Sequence, residues 1–250
     1  MNVGRTIGKN ALCAALCALI ATAAGGARAE ENDESECFQE DRAYVAMNAC
    51  SRLLMSGTLD AAKKVRIYER RGRAALVLFY FSEAAEDFTN VLAAEPDNTS
   101  ILAARGEALS EDGLFSKAAE DWARVAALKP DSLAALLQLG KNLYAAGSYE
   151  QATGAYEKAI GIDAKNIPAL VGLSRALDMS SQPQKSDETL AEALKLNPEN
   201  TTALNARAEI AERRGNVALA VESYKLSLKA NGMQIKPRQA LQRLGVETPP

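Results

Sequence analysis

Histidine is absent from the 250 residues, which removes the side chain most often used as a general base at neutral pH or as a zinc ligand. No other group stands in for it. The acids cannot be told apart from ordinary helix-surface charge, and no glycine-rich phosphate loop occurs. Neither a catalytic constellation nor a cofactor is implied. Concentrated positive charge is also missing: the formal net charge is −3 and no basic patch forms, which excludes nucleic acid as a natural partner. Beyond the N-terminus, no uninterrupted apolar run approaches the roughly 18 residues of a membrane span. Aromatic residues make up only 5% of the chain, with a single tryptophan, Trp122, so a core must be filled largely by alanine and leucine. That composition suits closely stacked helices.

The first 29 residues differ from the rest. Arg5 and Lys9 precede an apolar run from Ala11 to Ala24, and Ala27-Arg28-Ala29 places small residues where a signal peptidase needs them. The pattern predicts a cleaved secretory leader, residues 1–29, with Glu30 as the new N-terminus in the periplasm or outside the cell. Neither Cys13 nor Cys17 follows the order of a lipoprotein signal. Cleavage removes three cations and no acid, taking the charge from −3 to −6. The next stretch, EENDESE over residues 30–36, lacks apolar residues and reads as a disordered acidic segment extending to residue 40.

Cys37 and Cys50 remain in the exported chain. An oxidising compartment invites a bridge between them. An unbroken helix would hold them about 20 Å apart, so a bridge requires a chain break, for which Asp41 is the candidate N-cap. A free or intermolecular thiol is the alternative. From Asp41 to Met55, Ala46, Cys50 and Leu53 trace the second helix of a partial repeat or cap, residues 41–64, with Ser56-Gly57 as its stop.

From Val65 onward the chain copies itself. In LAALLQLGKNLYAAGSYEQATGAYEKAIGIDAKN, residues 133–166, Leu136, Leu139, Gly140 and Leu143 fall at helical spacing, Gly147 breaks the pattern, and Ala152, Tyr156 and Ala159 resume it. Steps of thirty-four residues recover Gly72, Gly106 and Gly140; Ala84, Ala118, Ala152, Ser186 and Ala220; and Phe88, Trp122, Tyr156, Leu190 and Tyr224. Pro96, Pro130 and Pro198 end three of the units.

These columns resemble the tetratricopeptide repeat family. The resemblance covers residues 65–234 as five units: 65–98, 99–132, 133–166, 167–200 and 201–234. It implies an all-α, right-handed superhelical solenoid of helix-turn-helix repeats, each burying its apolar face against the next. Small residues at Gly140 and Ala152 let two helix axes approach while Tyr156 and Leu136 fill the space around them. The fourth unit departs from the pattern, with Ser174 and Ser186 in small apolar columns and Ser180-Ser181-Gln182-Pro183 as its turn. Looser packing is expected there. The turn of the first unit, Phe79-Tyr80-Phe81-Ser82, is aromatic and is expected to pack beneath the N-terminal cap rather than serve as a contact surface. A last helix near Pro237–Leu244, within residues 235–250, carries enough charge to solvate the end of the array, although such helices also drive self-association.

By the same resemblance, partners lie along the first helix of every unit, at its fifth and ninth residues. Those positions hold Glu69 and Arg73, Ala103 and Glu107, Leu137 and Lys141, Val171 and Arg175, and Asn205 and Glu209. The ninth is charged throughout, a ladder fit for an extended peptide carrying both signs of charge; solvation of an exposed helix face is the plainer account of the same charges. The lysine-and-asparagine clamp with which some relatives hold a terminal carboxylate is missing, since the matching positions offer Glu69, Arg73 and Ala104. Arg71, Arg105 and Arg207 stand where the family has leucine; their stems are expected to cover the interhelix seam with their heads in water. Together with the leader pattern, the resemblance implies an exported, non-catalytic scaffold or adaptor, monomeric unless its end helix drives self-association. The alternative is a substrate-recruiting accessory subunit of a cell-envelope enzyme or secretion system.

Overall fold

In the computed structural model, which describes residues 31–39, 41–57 and 59–247, every regular element is a helix. The expected leader, with Cys13 and Cys17, lies outside the described residues. Helix α1 covers residues 31–37. It is followed by α2 (Ala43–Ser56), α3 (Ala61–Val77), α4 (Phe81–Ala94), α5 (Thr99–Glu111), α6 (Phe115–Leu128), α7 (Leu133–Ala145) and α8 (Tyr149–Ile162). Helices α9 (Ile167–Met179), α10 (Pro183–Leu196), α11 (Thr201–Arg213), α12 (Val217–Ala230) and α13 (Ile235–Arg243) complete the order. Two compact units divide within α5, between Ala108 and Leu109.

The thirty-four-residue step is written into the caps. Asn98, Ser132, Asn166 and Asn200 precede α5, α7, α9 and α11, and each side-chain oxygen accepts a backbone N–H three residues on, at 3.3, 3.3, 3.0 and 2.9 Å. Turns between paired helices need a left-handed residue, supplied by Gly113, Gly147 and Gly215 at φ 77°, 80° and 78°. Ser181 and Phe79 take the same conformation, at 60° and 61°. Pro183 opens α10, where its missing N–H costs nothing.

In the N-terminal unit, α2 packs on α3 and α3 on α4. Residues 31–37, expected to be disordered, are helical instead. The structure supplies the reason: Cys37 is disulfide-bonded to Cys50, with Cα atoms 4.8 Å apart. The acids of this segment pair with basic residues of α2 and α3. Arg52 reaches Asp33 at 2.5 Å and Glu36 at 3.0 Å, and Lys63 reaches Glu34 at 2.9 Å. Arg70 donates to the carbonyls of Cys37 and Gln39. The chain break that brings the cysteines together is present, but its N-cap is Arg42 rather than Asp41 and forms no side-chain cap bond.

Two further expectations are corrected in this unit. Phe79 and Tyr80 do not pack beneath the cap; they are 76% and 44% exposed. Nor does the head of Arg71 stay in water. It makes a two-point ion pair with Asp87 of α4, at 2.9 and 2.7 Å, and donates to Ser51 of α2 at 3.1 Å.

In the C-terminal unit, α7 packs on α6 and α8, α9 on α8 and α10, and α11 on α12. Tyr156 of α8 lies between two glycines. A β-carbon on Gly140 would stand 2.7 Å from its ring, and one on Gly172 closer still. In the fourth repeat the buried hydroxyls of Ser174 and Ser186 satisfy each other at 3.1 Å, and Ser186 also donates to the Ser174 carbonyl. Arg207 resembles Arg71, with its Nε donating to Ser223 at 2.8 Å. Pro237, Ala240 and Leu241 are the buried face of α13, which packs on α12.

Candidate functional site

The first helices of the C-terminal unit carry two depressions at the residues marked by the repeat spacing. One, of about 300 Å3, is bounded by α7 and α9 with Thr202 of α11 at its far side. Leu137, Pro168 and Gly172 give it apolar surface over the buried Val171, Tyr144 and Tyr156 aromatic walls, and Lys141 and Arg175 positive charge. Fifth and ninth residues of a repeat fall on one helix face because four residues make about one turn. The other depression, about 620 Å3, is lined by Asn205 and Glu209 of α11, Glu212, Tyr224 and residues of α13.

The charges do not form a free-standing ladder. Arg175 and Glu209 are ion-paired at 2.7 Å, a rung closed from α9 to α11. In the N-terminal unit Arg73 pairs with Glu69 on the next turn of α3, at 2.9 Å, and reaches Ser100 at 3.2 Å. Lys141 lines the first depression, while Glu107 lies exposed on α5 in the other unit. Two polar atoms in the C-terminal groove are buried without a protein partner: Arg175 Nε and Asn205 Oδ1, although the Asn205 amide donates to Gln234 at 2.8 Å. Among the described residues the site therefore offers apolar surface flanked by an unengaged cation, Lys141, and two unused hydrogen-bonding atoms. The neutralising pairs were missed because one-position columns do not show that Arg175 and Glu209 are neighbours; their thirty-four-residue separation, opposite signs included, was the available signal.

Burial pushes the Tyr156 hydroxyl up to about 12, against the opposing pull of the Arg175 charge. The raised value means that the folded state keeps this proton where the unfolded chain loses it. The resulting stabilisation is complete below pH 10 and is lost as pH rises from 10 to about 12. Tyr156→Phe should flatten that part of a stability–pH curve by about 1–2 kcal/mol, measured by urea unfolding from pH 9 to 11.5. Tyr224, raised by burial and by its bond to Glu212, contributes in the same direction and serves as the comparison variant, Tyr224→Phe.

Among the described residues, no group of three or more Cys, Asp or Glu could hold a metal ion. What the fold defines is a helical-repeat protein built from paired helices. Tetratricopeptide repeat models match residues 69–132, 104–167 and 143–210, together more than half of the chain. The chain belongs to the tetratricopeptide repeat family. No curated protein sequence matches it. Among solved structures it is similar to a tetratricopeptide repeat protein from Parabacteroides merdae (16% identity, TM-score 0.65, covering 88% of this chain and 94% of that one). It is also similar to MamA from Desulfovibrio magneticus (21% identity, TM-score 0.59, 69% and 97% covered). A third similar structure is YrrB, described as having an unusual peptide-binding site (11% identity, TM-score 0.55, 79% and 100% covered). At these identities the likeness establishes the fold.

Proposed function

We propose that this chain is an exported, non-catalytic binding module that holds an extended segment of a partner protein across α7, α9 and α11. One observation carries the reading: the α7–α9 depression combines apolar surface at Leu137 and Pro168 with Lys141, which has no partner among the described residues, beside the Arg175–Glu209 pair. Such a surface suits a segment with aliphatic side chains followed or preceded by a carboxylate. The peptide-binding site named for YrrB supports the use of this fold for peptide ligands. Export is supported by the basic-then-apolar pattern of residues 1–29 and by the Cys37–Cys50 disulfide, which belongs to oxidising compartments.

The test uses protein purified from the cell envelope, with an intact mass expected to begin at Glu30. It is immobilised against native envelope extract beside a Lys141→Glu, Leu137→Gln variant that retains its circular dichroism. A partner held by the parent and weakened about thirtyfold or more in the variant is the expected result, since a buried apolar contact and a paired charge are lost together. Equal retention by both proteins would remove the groove from the function.

A further inference from the structure

The turn between α3 and α4 has an aromatic ring where the other repeats have small residues. Phe79 occupies the repeat position of Gly113, Gly147, Ser181 and Gly215, and all five are left-handed. A β-carbon is disfavoured in that conformation, and a bulky side chain especially so. The fold gains no core in return: Phe79 is 76% exposed, and Val77 and Tyr80 beside it are 67% and 44% exposed. The ring of Phe81 meets that of Phe79 edge-on at 6.0 Å, which holds the protruding ring in place. Glu83, four residues on in the first turn of α4, is exposed. A strained, solvent-facing, orientated aromatic is a feature that folding alone does not select.

A receptor of matching chemistry exists on the C-terminal unit. Helices α10 and α12 flank a cleft of about 240 Å3 whose walls and floor include Leu190, Leu194, Ile210 and Leu219. It uses a different face of α11 from the one that bears Asn205 and Glu209, so it is separate from the groove. Arg207 lines it, and among the described residues its Nε donates to Ser223 while both Nη groups have no partner and can meet an acid. An aromatic ring fits a cleft of this size, and the carboxylate of Glu83 complements Arg207.

We infer that Phe79 of one copy inserts into the α10–α12 cleft of a second copy, with Glu83 directed to Arg207, so that the chain self-associates head to tail. Knob and cleft are different surfaces, so the contact is heterologous, and each added copy leaves one of each unfilled. This goes beyond the groove reading and does not depend on it.

Sedimentation velocity on the purified protein over a dilution series tests the inference. Mass should rise with concentration. Phe79→Gly removes the knob and suits the left-handed turn, so the melting temperature should not fall. Ala191→Phe, at an exposed position of α10 lining the cleft, blocks the receptor. Each variant alone should associate about thirtyfold or more weakly. An equimolar mixture should form dimers and nothing larger, because one partner keeps the knob and the other the cleft. A parent that stays monomeric, an association that neither variant weakens, or a mixture that fails to pair overturns the inference. So does a monomer that binds phosphatidylcholine vesicles through Phe79, which would assign the knob to a lipid surface.

Discussion

Arg71→Leu should cost the N-terminal unit about 3–5 kcal/mol, even though leucine is the residue found at the same repeat position as Leu139 and Leu173. The side chain of Asp87 is 2% exposed, and Arg71 supplies both of its strong hydrogen bonds. Removing the cation leaves a buried carboxylate without its counter-charge, and that penalty exceeds what a better-packed leucine returns. Arg71 also joins three helices, through Ser51 of α2 and Asp87 of α4, so the loss should appear as faster amide exchange in all three. Arg71→Leu combined with Asp87→Ala reproduces the pair Leu139 and Ala155 and should regain most of the stability. A double variant as weak as the single one would show that the pair itself, rather than an unpaired charge, is what the unit needs.

Acidity gives the same prediction a sign. Burial raises the Asp87 carboxyl above its ordinary value, and this outweighs the opposing bond and charge of Arg71; the same contact raises the pKa of the Arg71 guanidinium, keeping it charged. A folded state with the raised value binds more protons than the unfolded chain in the window just above the ordinary carboxylate value. Stability from this group is therefore present below that value and lost as pH rises through the folded one. Without Arg71 the window widens upward, so the deficit of Arg71→Leu should shrink as the solution is acidified. Urea unfolding at pH 7 and pH 5 measures it.

Much of this arrangement was present in the sequence as spacing. Arg71 and Asp87 are sixteen residues apart, as are Arg207 and Ser223, and both pairs are hydrogen-bonded. Where the first position is Leu139, the second is Ala155. Read singly, an arginine in a leucine column looks like a stem with a solvated head; read with its partner column, it is a polar seam between two helices. The repeat starts at Thr99, Leu133, Ile167 and Thr201 were legible because every period contributes the same turn and cap chemistry. Residues 31–37 were not, because they are held in a helix by Arg52, Lys63 and the disulfide partner Cys50, all of which lie outside the segment. The groove was located by position, whereas the closing of Arg175 on Glu209 depended on how adjacent repeats stack.

Gly172 is the residue whose importance no column announced, and Gly172→Ala should destabilise the C-terminal unit by about 1–2 kcal/mol net. Two effects of opposite sign decide this. Alanine is better than glycine inside a helix by about 1 kcal/mol. Against it, the new β-carbon would overlap the Tyr156 ring at Cζ and Cε1, with another ring atom at 2.9 Å. Real β-carbons essentially never come that near, and the ring has little room to retreat, because it also packs so closely on Gly140 that a β-carbon there would stand 2.7 Å from it. Overpacking of this kind typically costs about 1–3 kcal/mol and sometimes more. Urea unfolding should show the deficit, and Tyr156→Leu should relieve it in the double variant even though it opens space when made alone. That non-additivity identifies the contact: residues in collision couple, whereas a general loss of helix stability would add. Because Gly172 and Tyr156 both line the α7–α9 depression, the same substitution should also narrow the groove, and partner retention should fall even at temperatures where the variant is fully folded. The glycine thus sets two quantities at once, the approach of α9 to α8 and the depth of the surface on which the proposed ligand rests.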